Sequence, residues 1–200
     1  MGKIERIRNF YTPWINGTGS NARRLAWDST YNQYMRFEVL RKNVDLNGMS
    51  LLDVGCGFGD LLDYLNKNEV SVNYTGVDIL PRMILIARNM HPKSEFHNID
   101  IFNSDDLMEK YDVAYASGTF NLDMGNNDDF IRRVIDIFYK KTNQTFSFNL
   151  LHERFKDKEK YYYYTSPEKI MGLLGDYNCD VKIVDDYLEN DFTVICTKKT

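Results

Sequence analysis

The chain has 200 residues, of which 43% are hydrophobic and 27% are charged, and its formal net charge is -4. This length suits one domain with a single hydrophobic core, and the apolar fraction excludes an intrinsically disordered chain. A net negative charge gives no broad attraction to a phosphate backbone, so nucleic acid is an unlikely partner.

Neither a targeting segment nor a disulfide framework is indicated by the sequence. No apolar run approaches the roughly 20 residues that cross a bilayer, and the N-terminus lacks the apolar core of a signal peptide. We therefore expect a cytoplasmic location and no membrane partner. Cys56, Cys179 and Cys196 lie far apart without a CxxC pair, which favours buried thiols over disulfides or a zinc site.

In chain order, residues 1–47 precede the regular part of the sequence and are expected to form a helical cap or lid. A helix is predicted over residues 29–44. Before it, FYTPWINGTGSN combines Tyr11 and Trp14 with two glycines, so this stretch could close over a substrate. Packing of the same rings against the core is the alternative.

From residue 48 to 200 the chain alternates strand-like and helix-like segments, which predicts a doubly wound α/β core with a mostly parallel sheet. Strands are predicted at LLDV, YTGVDI, EFHNIDI, YDVAYASG and TFSFNLL, and helices at DLLDYLN, PRMILIARNM and DDFIRRVIDIFYKK. A short helix from Ser166 through Leu174 follows. The segments VKIVDDYL and DFTVICTK are expected to form a final antiparallel hairpin across Glu189 and Asn190.

The stretch LLDVGCGFG predicts a ligand site where the first strand turns into a helix. Glycines there permit positive φ and close backbone approach, and ligands of open α/β sheets bind beyond the carboxyl ends of the strands. Asp78, at the end of the second strand, could hold two ribose hydroxyls. The alternative is a structural turn with unrelated acids.

The spacing of this loop favours a cationic nucleoside cofactor over a dinucleotide. The glycines follow G-x-G-x-G rather than G-x-G-x-x-G, and Asp60 comes next. An acid at a helix N-terminus repels phosphate but tolerates an amino or sulfonium cation. S-adenosylmethionine is therefore favoured over NAD.

LLDVGCGFGDLL, GVDIL and NIDIF resemble the class I S-adenosylmethionine-dependent methyltransferases. The resemblance implies their Rossmann-like fold with a seven-stranded sheet. It also implies that Asp53 and the glycines contact the amino-acid part of the cofactor, Asp78 the ribose, and Asp100 with Ile101 the adenine, on which Ile79 packs. The full predicted cofactor set is Arg36, Asp53, Gly55, Cys56, Gly57, Gly59, Asp60, Asp78, Ile79, Met83, Asp100, Ile101, Ser117 and Gly118.

Arg36 belongs to this set through YNQYMRF, which looks like a pattern of small stand-alone bacterial methyltransferases. There, Gln33 and Arg36 would reach the cofactor's carboxylate. Solvent-facing positions on a helix are the alternative for both residues.

The acceptor is expected to be a small molecule, with a hydroxyl of a sugar or metabolite as the predicted group. The fourth strand ends in ASGTFNLD, without the Asp/Asn-Pro-Pro-Tyr motif of enzymes that methylate DNA bases. Tyr11, Trp14, Asn121 and Asp123 form the predicted substrate set, although Asn121 and Asp123 could instead cap the next helix. An RNA or protein methyltransferase, or a non-catalytic cofactor-binding domain, remains an alternative.

A hydroxyl acceptor requires a base, and His152 is the predicted one because it follows the fifth strand on the substrate side. A surface-loop histidine is the alternative. No metal site is predicted, since Asp123 lacks further ligands nearby. The tyrosines at 161–164 fit a wall with alternate rings buried, and FKDKEK before them fits a solvated turn. The sequence leaves the oligomeric state open.

Overall fold

The computed structural model describes residues 2–103 and 110–199. Their elements in chain order are α1 Lys3–Ile15, α2 Asn21–Arg24, α3 Thr30–Asn43, β1 Ser50–Val54, α4 Asp60–Lys67, β2 Asn73–Asp78, α5 Pro81–Met90, β3 Glu95–Asn98, β4 Tyr111–Ala116, α6 Asn127–Lys141, β5 Thr142–His152, β6 Tyr164–Thr165, α7 Pro167–Leu174, β7 Cys179–Val184 and β8 Asp191–Lys198.

The sheet confirms the predicted fold class. Its strands run in the order β3-β2-β1-β4-β5-β8-β7, and the two-residue β6 pairs with β5 as an eighth strand. β8 is antiparallel to both β5 and β7, and the other pairs are parallel. The final hairpin is therefore present, but residues 185–190 connect its strands instead of the two residues that we predicted.

The strand order reverses between β1 and β4, and this point positions the site. The chain leaves β1 for β2 on one side and returns to β4 on the other, so the loops after β1 and β4 diverge and leave a crevice. Leu51 and Leu52 on neighbouring positions of β1 are both buried. Because helices cover both faces of a parallel sheet, the carboxyl ends of its strands are where a ligand can enter.

The N-terminal segment packs on the core as three helices, two of which, α1 and α2, the sequence did not predict. The helix expected over 29–44 is α3, and the Ser29 hydroxyl caps it by accepting the N–H of Asn32. Residues 3–15 form α1 although Pro13 lies inside it. Pro13 stands in the last turn and has no N–H, so the helix lacks one backbone hydrogen bond just before it ends. Ile15 of α1 is buried against Phe58 and Leu80.

Candidate active site

A first cavity opens at the carboxyl ends of β1, β2 and β4. It encloses about 990 Å³ when the space at its open mouth is included, which suits a cofactor-sized ligand. Most of the predicted cofactor residues line it, namely Asp53, Gly55, Cys56, Gly57, Asp60, Asp78, Ile79, Met83, Asp100, Ile101, Ser117 and Gly118. The topology thus brings residues from four separate stretches of sequence into one crevice.

Gly55 has a geometry in this cavity that excludes any side chain. Its φ is 72°, in the left-handed region, and a Cβ built on it would lie 2.2 Å from Oγ1 of Thr119. The backbone N–H of Gly55 donates to the carbonyl oxygen of Val77 at 2.8 Å. The glycine loop is therefore fixed against β2 on one side and against the loop after β4 on the other.

Buried carboxyl groups dominate the polar lining of the cavity. Asp78 accepts the backbone N–H groups of Leu80 (2.8 Å) and Gly57 (3.2 Å). Burial raises its pKa to about 6, and these hydrogen bonds act in the opposite direction. Burial also raises the pKa of Asp53 to about 7, although the hydroxyl of Tyr74 donates to it.

Asp60, at the start of α4, is anchored by the N-terminal segment. Its carboxylate accepts hydrogen bonds from the side-chain amides of Asn21 (2.8 Å) and Gln33 (3.2 Å). Burial raises the pKa of Asp60, and these two amides counteract that effect. Gln33 itself lines the cavity, so α3 forms part of its wall.

The electrostatics of the first cavity fit a cationic nucleoside. Its lining contains Asp53, Asp60, Asp78 and Asp100, and no Lys, Arg or His within the described part of the chain. A pyrophosphate would be repelled here, whereas a sulfonium or ammonium group would be attracted. The hydroxyl of Ser117 is buried without a hydrogen-bond partner, which leaves it available to a ligand. The residues present therefore fit S-adenosylmethionine.

Two predicted cofactor residues, Gly59 and Arg36, do not line the first cavity. Gly59 begins α4 with φ 89°, and a Cβ there would lie 2.8 Å from the His91 ring. Packing against His91 therefore requires a glycine at position 59. Arg36 is buried, forms an ion pair with Asp191, and holds its guanidinium 4.5 Å above the centre of the Trp27 ring. The geometry does not support the prediction that these two residues contact the cofactor.

A second cavity of about 880 Å³, again including its open mouth, adjoins the first. Tyr11, Trp27 and Gly118 line both. The remaining lining residues are Ala26, Asp28, Arg36, Asn121, Leu151, Phe155, Asp157, Glu159, Tyr162, Tyr164 and Asn190. An open cavity beside the cofactor crevice is where a methyl acceptor could bind.

The structure brings only two members of the predicted substrate set to these cavities. Tyr11 lines both, and Asn121 lines the second. Trp14 is 43% exposed on α1 and lines neither. Asp123 is also exposed, and its carboxylate accepts the N–H of Gly125 at 2.8 Å. For Asp123 the geometry favours a turn-forming role, while substrate contact by Trp14 and Asp123 remains a prediction without support.

His152 lies apart from both cavities. Its Nδ1 accepts the backbone N–H of Arg154 at 3.2 Å, and its ring packs edge-on against Phe192. Burial, followed by the charge of Arg154, lowers the pKa of His152. A general base must reach the proton that it removes. The position of His152 therefore does not support its predicted catalytic role.

Sequence analysis missed Trp27, which forms the partition between the two cavities. A Cβ on Gly118 would lie 2.4 Å from the Trp27 ring, and the Arg36 guanidinium lies over the same ring. Trp27 is an isolated aromatic residue just before the cap of α3, in no periodic pattern. The glycine at position 118 was the signal available in the sequence, because a glycine permits close approach of a neighbouring side chain.

A buried hydrogen-bond network connects Arg36 to the first cavity. Asp191, its ion-pair partner, accepts from the side-chain amide of Asn149 at 3.1 Å, and the amide oxygen of Asn149 accepts the N–H of Gly118 at 2.8 Å. The hydroxyl of Tyr187 also donates to Asp191. This network ties α3, β5 and β8 to the loop after β4.

Comparison with known proteins agrees with this geometry. The family model described as a methyltransferase domain matches residues 52–137. The methyltransferase-named protein Rv1506c of Mycobacterium tuberculosis is 30% identical over 157 residues, which cover 74% of this chain and 93% of that protein.

Two solved structures have the same fold over nearly the whole chain. The N-methyltransferase NodS of Bradyrhizobium japonicum WM9, in complex with S-adenosylhomocysteine, aligns with a TM-score of 0.72 at 15% identity and covers 98% of this chain and 100% of that one. Magnesium protoporphyrin IX methyltransferase of Synechocystis PCC 6803, with bound S-adenosylmethionine, aligns with a TM-score of 0.69 at 15% identity and covers 100% and 98%.

Proposed function

Because this chain belongs to the class I S-adenosylmethionine-dependent methyltransferases, we propose that it methylates a small molecule bound in the second cavity. The observation that carries the proposal is the pair of adjoining cavities, one acidic and shaped by the glycine loop, the other open and lined by aromatic and polar side chains. Trp27 and Gly118 stand between them, where the two reactants would meet.

The chain's own residues would hold the cofactor and orient the acceptor, because methyl transfer needs little more from a protein. When bound, S-adenosylmethionine supplies a methyl group on a sulfonium, whose carbon–sulfur bond breaks as the acceptor's electron pair bonds to carbon. Asp78 would accept the ribose hydroxyls, and Asp53 and Asp60 would face the cationic amino-acid part. Alignment of the acceptor and exclusion of water by the apolar walls provide the remaining acceleration.

The substrate predicted from sequence, a hydroxyl of a sugar or metabolite, needs a base close to the acceptor. His152 lies apart from the second cavity. Within the described residues that line this cavity, the carboxylates of Asp28, Asp157 and Glu159 are the groups able to take a proton. A hydroxyl acceptor would depend on one of them.

Titration calorimetry with S-adenosylmethionine and S-adenosylhomocysteine tests the cofactor half of the proposal. Wild-type protein is expected to bind both, and Asp78→Asn to bind both more weakly by about tenfold or more, because one ionised hydrogen-bond acceptor is lost. Asp186→Asn, a change of the same kind at an exposed position, is the matched control. Absence of binding to folded wild-type protein would refute the proposal.

Transfer itself is measured with methyl-labelled S-adenosylmethionine and pools of small-molecule acceptors. Label in a small molecule supports the proposal. Label found only in RNA or protein, with a steep loss of acceptor binding in salt, would move the function to a macromolecular acceptor. Cofactor binding without transfer to any acceptor would favour a non-catalytic domain.

A further inference from the structure

We propose that the second cavity binds an aliphatic amine in its cationic form, so that the acceptor atom is a nitrogen. This inference rests on the proposed function above and names its substrate class. Three features of the second cavity carry it: the charges at its rim, the aromatic rings of its wall, and a buried amide oxygen without a partner.

Carboxylates outnumber cations among the residues that line this cavity. Asp157 and Glu159 line it, whereas the lysines that alternate with them, at positions 156, 158 and 160, do not. All five residues are exposed, and the Lys158 ammonium lies 5.7 Å from the centre of the Tyr164 ring, which also lines the cavity. Asp28 contributes a third carboxylate from the N-terminal segment. Sequence analysis described this stretch as a solvated turn of mixed charge, and its residues 156–160 are exposed, with Asp157 and Glu159 also lining the cavity.

Arg36 is the cation among the described residues that line the second cavity, and its charge is already matched. It is 2% exposed and paired with the buried carboxylate of Asp191. Among the residues that line the cavity, the three carboxylates therefore carry the unmatched charge, and Lys158, outside that lining, offsets part of it beside Tyr164. A positively charged ligand would be attracted and a carboxylate ligand repelled.

Aromatic rings add to this preference. Trp27, Tyr162 and Tyr164 line the same cavity, and Phe155 completes the wall. The faces of such rings attract cations, and Arg36 already lies over Trp27 and Lys158 over Tyr164. An ammonium ligand would share these rings or use Tyr162, and all of them can bury the apolar part of a small amine. Tyr162 and Tyr164 alternate with Tyr163, whose hydroxyl donates to Asp128 outside the cavity.

Asn121 supplies the orienting contact. The residue is 6% exposed, lines the second cavity, and its side-chain oxygen is buried without a hydrogen-bond partner. A buried acceptor without a partner is costly unless a ligand supplies the donor. An amine N–H is such a donor, and accepting it would fix the direction of the nitrogen's lone pair.

The chemistry balances without a dedicated base. The ammonium form binds, releases one proton through the open rim to solvent, and the neutral nitrogen then uses its lone pair for the new nitrogen–carbon bond. The product is a methylammonium, whose remaining extra proton also leaves to solvent. An amine acceptor thus removes the need for a histidine, which agrees with the position of His152 away from the cavity.

Calorimetry on protein saturated with S-adenosylhomocysteine tests the inference without relying on turnover. The probes are 2-phenylethylamine, 2-phenylethanol and phenylacetate, which differ mainly in the charge and type of the terminal group. We expect the amine to bind about tenfold more tightly than the alcohol, and the carboxylate to bind most weakly. Equal or tighter binding of the alcohol or the carboxylate, or no binding of the amine, overturns the inference.

Variants assign the preference to these residues. Asn121→Leu and the Asp157→Asn/Glu159→Gln double variant are each expected to reduce the preference for the amine, while Asn121→Asp, which retains an acceptor oxygen, should keep it. Glu153→Gln, an exposed carboxylate of the same segment that does not line the cavity, is the matched control. An unchanged preference in both the Asn121→Leu and the double variant would refute the assignment.

The two proposals fail in different ways. Failure to bind S-adenosylhomocysteine by folded protein would overturn the proposed function, and the amine site with it. Binding of S-adenosylhomocysteine together with methylation of the alcohol instead of the amine would leave the methyltransferase function intact and overturn only the acceptor class.

Discussion

Replacement of Gly55 by alanine is the sharpest test of the glycine loop. Gly55 has φ 72°, and its Cβ would lie 2.2 Å from Oγ1 and 2.6 Å from Cγ2 of Thr119. Thr119 cannot turn aside freely, because its hydroxyl donates to the carbonyl oxygen of Val54 at 2.9 Å. The substitution therefore combines backbone strain with a steric clash.

Gly48 separates these two costs. Its φ is 74°, almost the same as that of Gly55, but nothing lies within 4 Å of a Cβ built there. Gly48→Ala should thus destabilise the protein by the left-handed backbone cost alone, about 1–2 kcal/mol. Gly55→Ala adds overpacking of about 1–3 kcal/mol, which gives a total of about 2–5 kcal/mol.

Urea denaturation of both variants without ligand measures the difference in the free energy of unfolding. Adding Thr119→Ala to Gly55→Ala removes the two shortest contacts and should recover part of the overpacking cost, with the backbone cost remaining. The reasoning is wrong if Gly55→Ala is no more destabilising than Gly48→Ala, or if Thr119→Ala and Gly55→Ala are simply additive.

Three further predictions follow from the buried charges and from His152. Affinity for S-adenosylhomocysteine should fall as the pH drops below about 6, because protonated Asp78 accepts fewer hydrogen bonds; calorimetry across pH should show a flatter profile for Asp78→Asn. Asp191→Asn should cost about 3–5 kcal/mol in urea denaturation by leaving Arg36 buried without its counter-charge, whereas Arg36→Met combined with Asp191→Leu should recover most of that loss. His152→Gln should leave the methyl-transfer rate within about threefold of wild type, and a loss of about a hundredfold with intact cofactor affinity would restore His152 as the base.

The same carboxyl groups determine how stability depends on pH without ligand. The pKa values of Asp53 (about 7) and Asp78 (about 6) lie above their ordinary value, so between about pH 4 and 7 the folded state binds more protons than the unfolded state. Stability should therefore rise as the pH falls through this window, with a slope of up to about 1.4 kcal/mol per pH unit for each group. Cofactor binding and apo stability thus respond to acid in opposite directions.

The cofactor crevice was predictable because its parts are local in sequence. Asp53, Asp78 and Asp100 each stand at or just after the end of a strand that its own hydrophobic pattern identifies, and parallel pairing brings these ends to one edge of the sheet. The location of these three aspartates in the crevice then follows from the sheet topology. The residues of this crevice that were missed, such as Trp27 and Thr119, enter it from loops with no periodicity.

The second cavity was not predictable from the sequence, because its parts are distant in sequence and lie outside the periodic strands and helices. It forms between the N-terminal segment, the loop after β4 and the stretch after β5, which meet through contacts such as that from Arg6 of α1 to the backbone carbonyl of Asp123. Sequence analysis did not identify α1, because Pro13 and the glycines after it resemble a loop. The position of Asp157 and Glu159 at the second cavity is visible only in the folded structure.

The position of His152 shows what a location near a strand end leaves open. Sequence analysis predicted the fifth strand as TFSFNLL, which ends at Leu151, with His152 just beyond it, but β5 includes His152. Side chains alternate between the two faces of a strand, so the direction of a residue depends on the strand's phase. Asn149 turns to Gly118 and Leu151 lines the second cavity, which places His152 on the opposite face, against Phe192. A prediction based on distance along the chain locates the correct end of the sheet, and only the phase decides which side chain meets the acceptor.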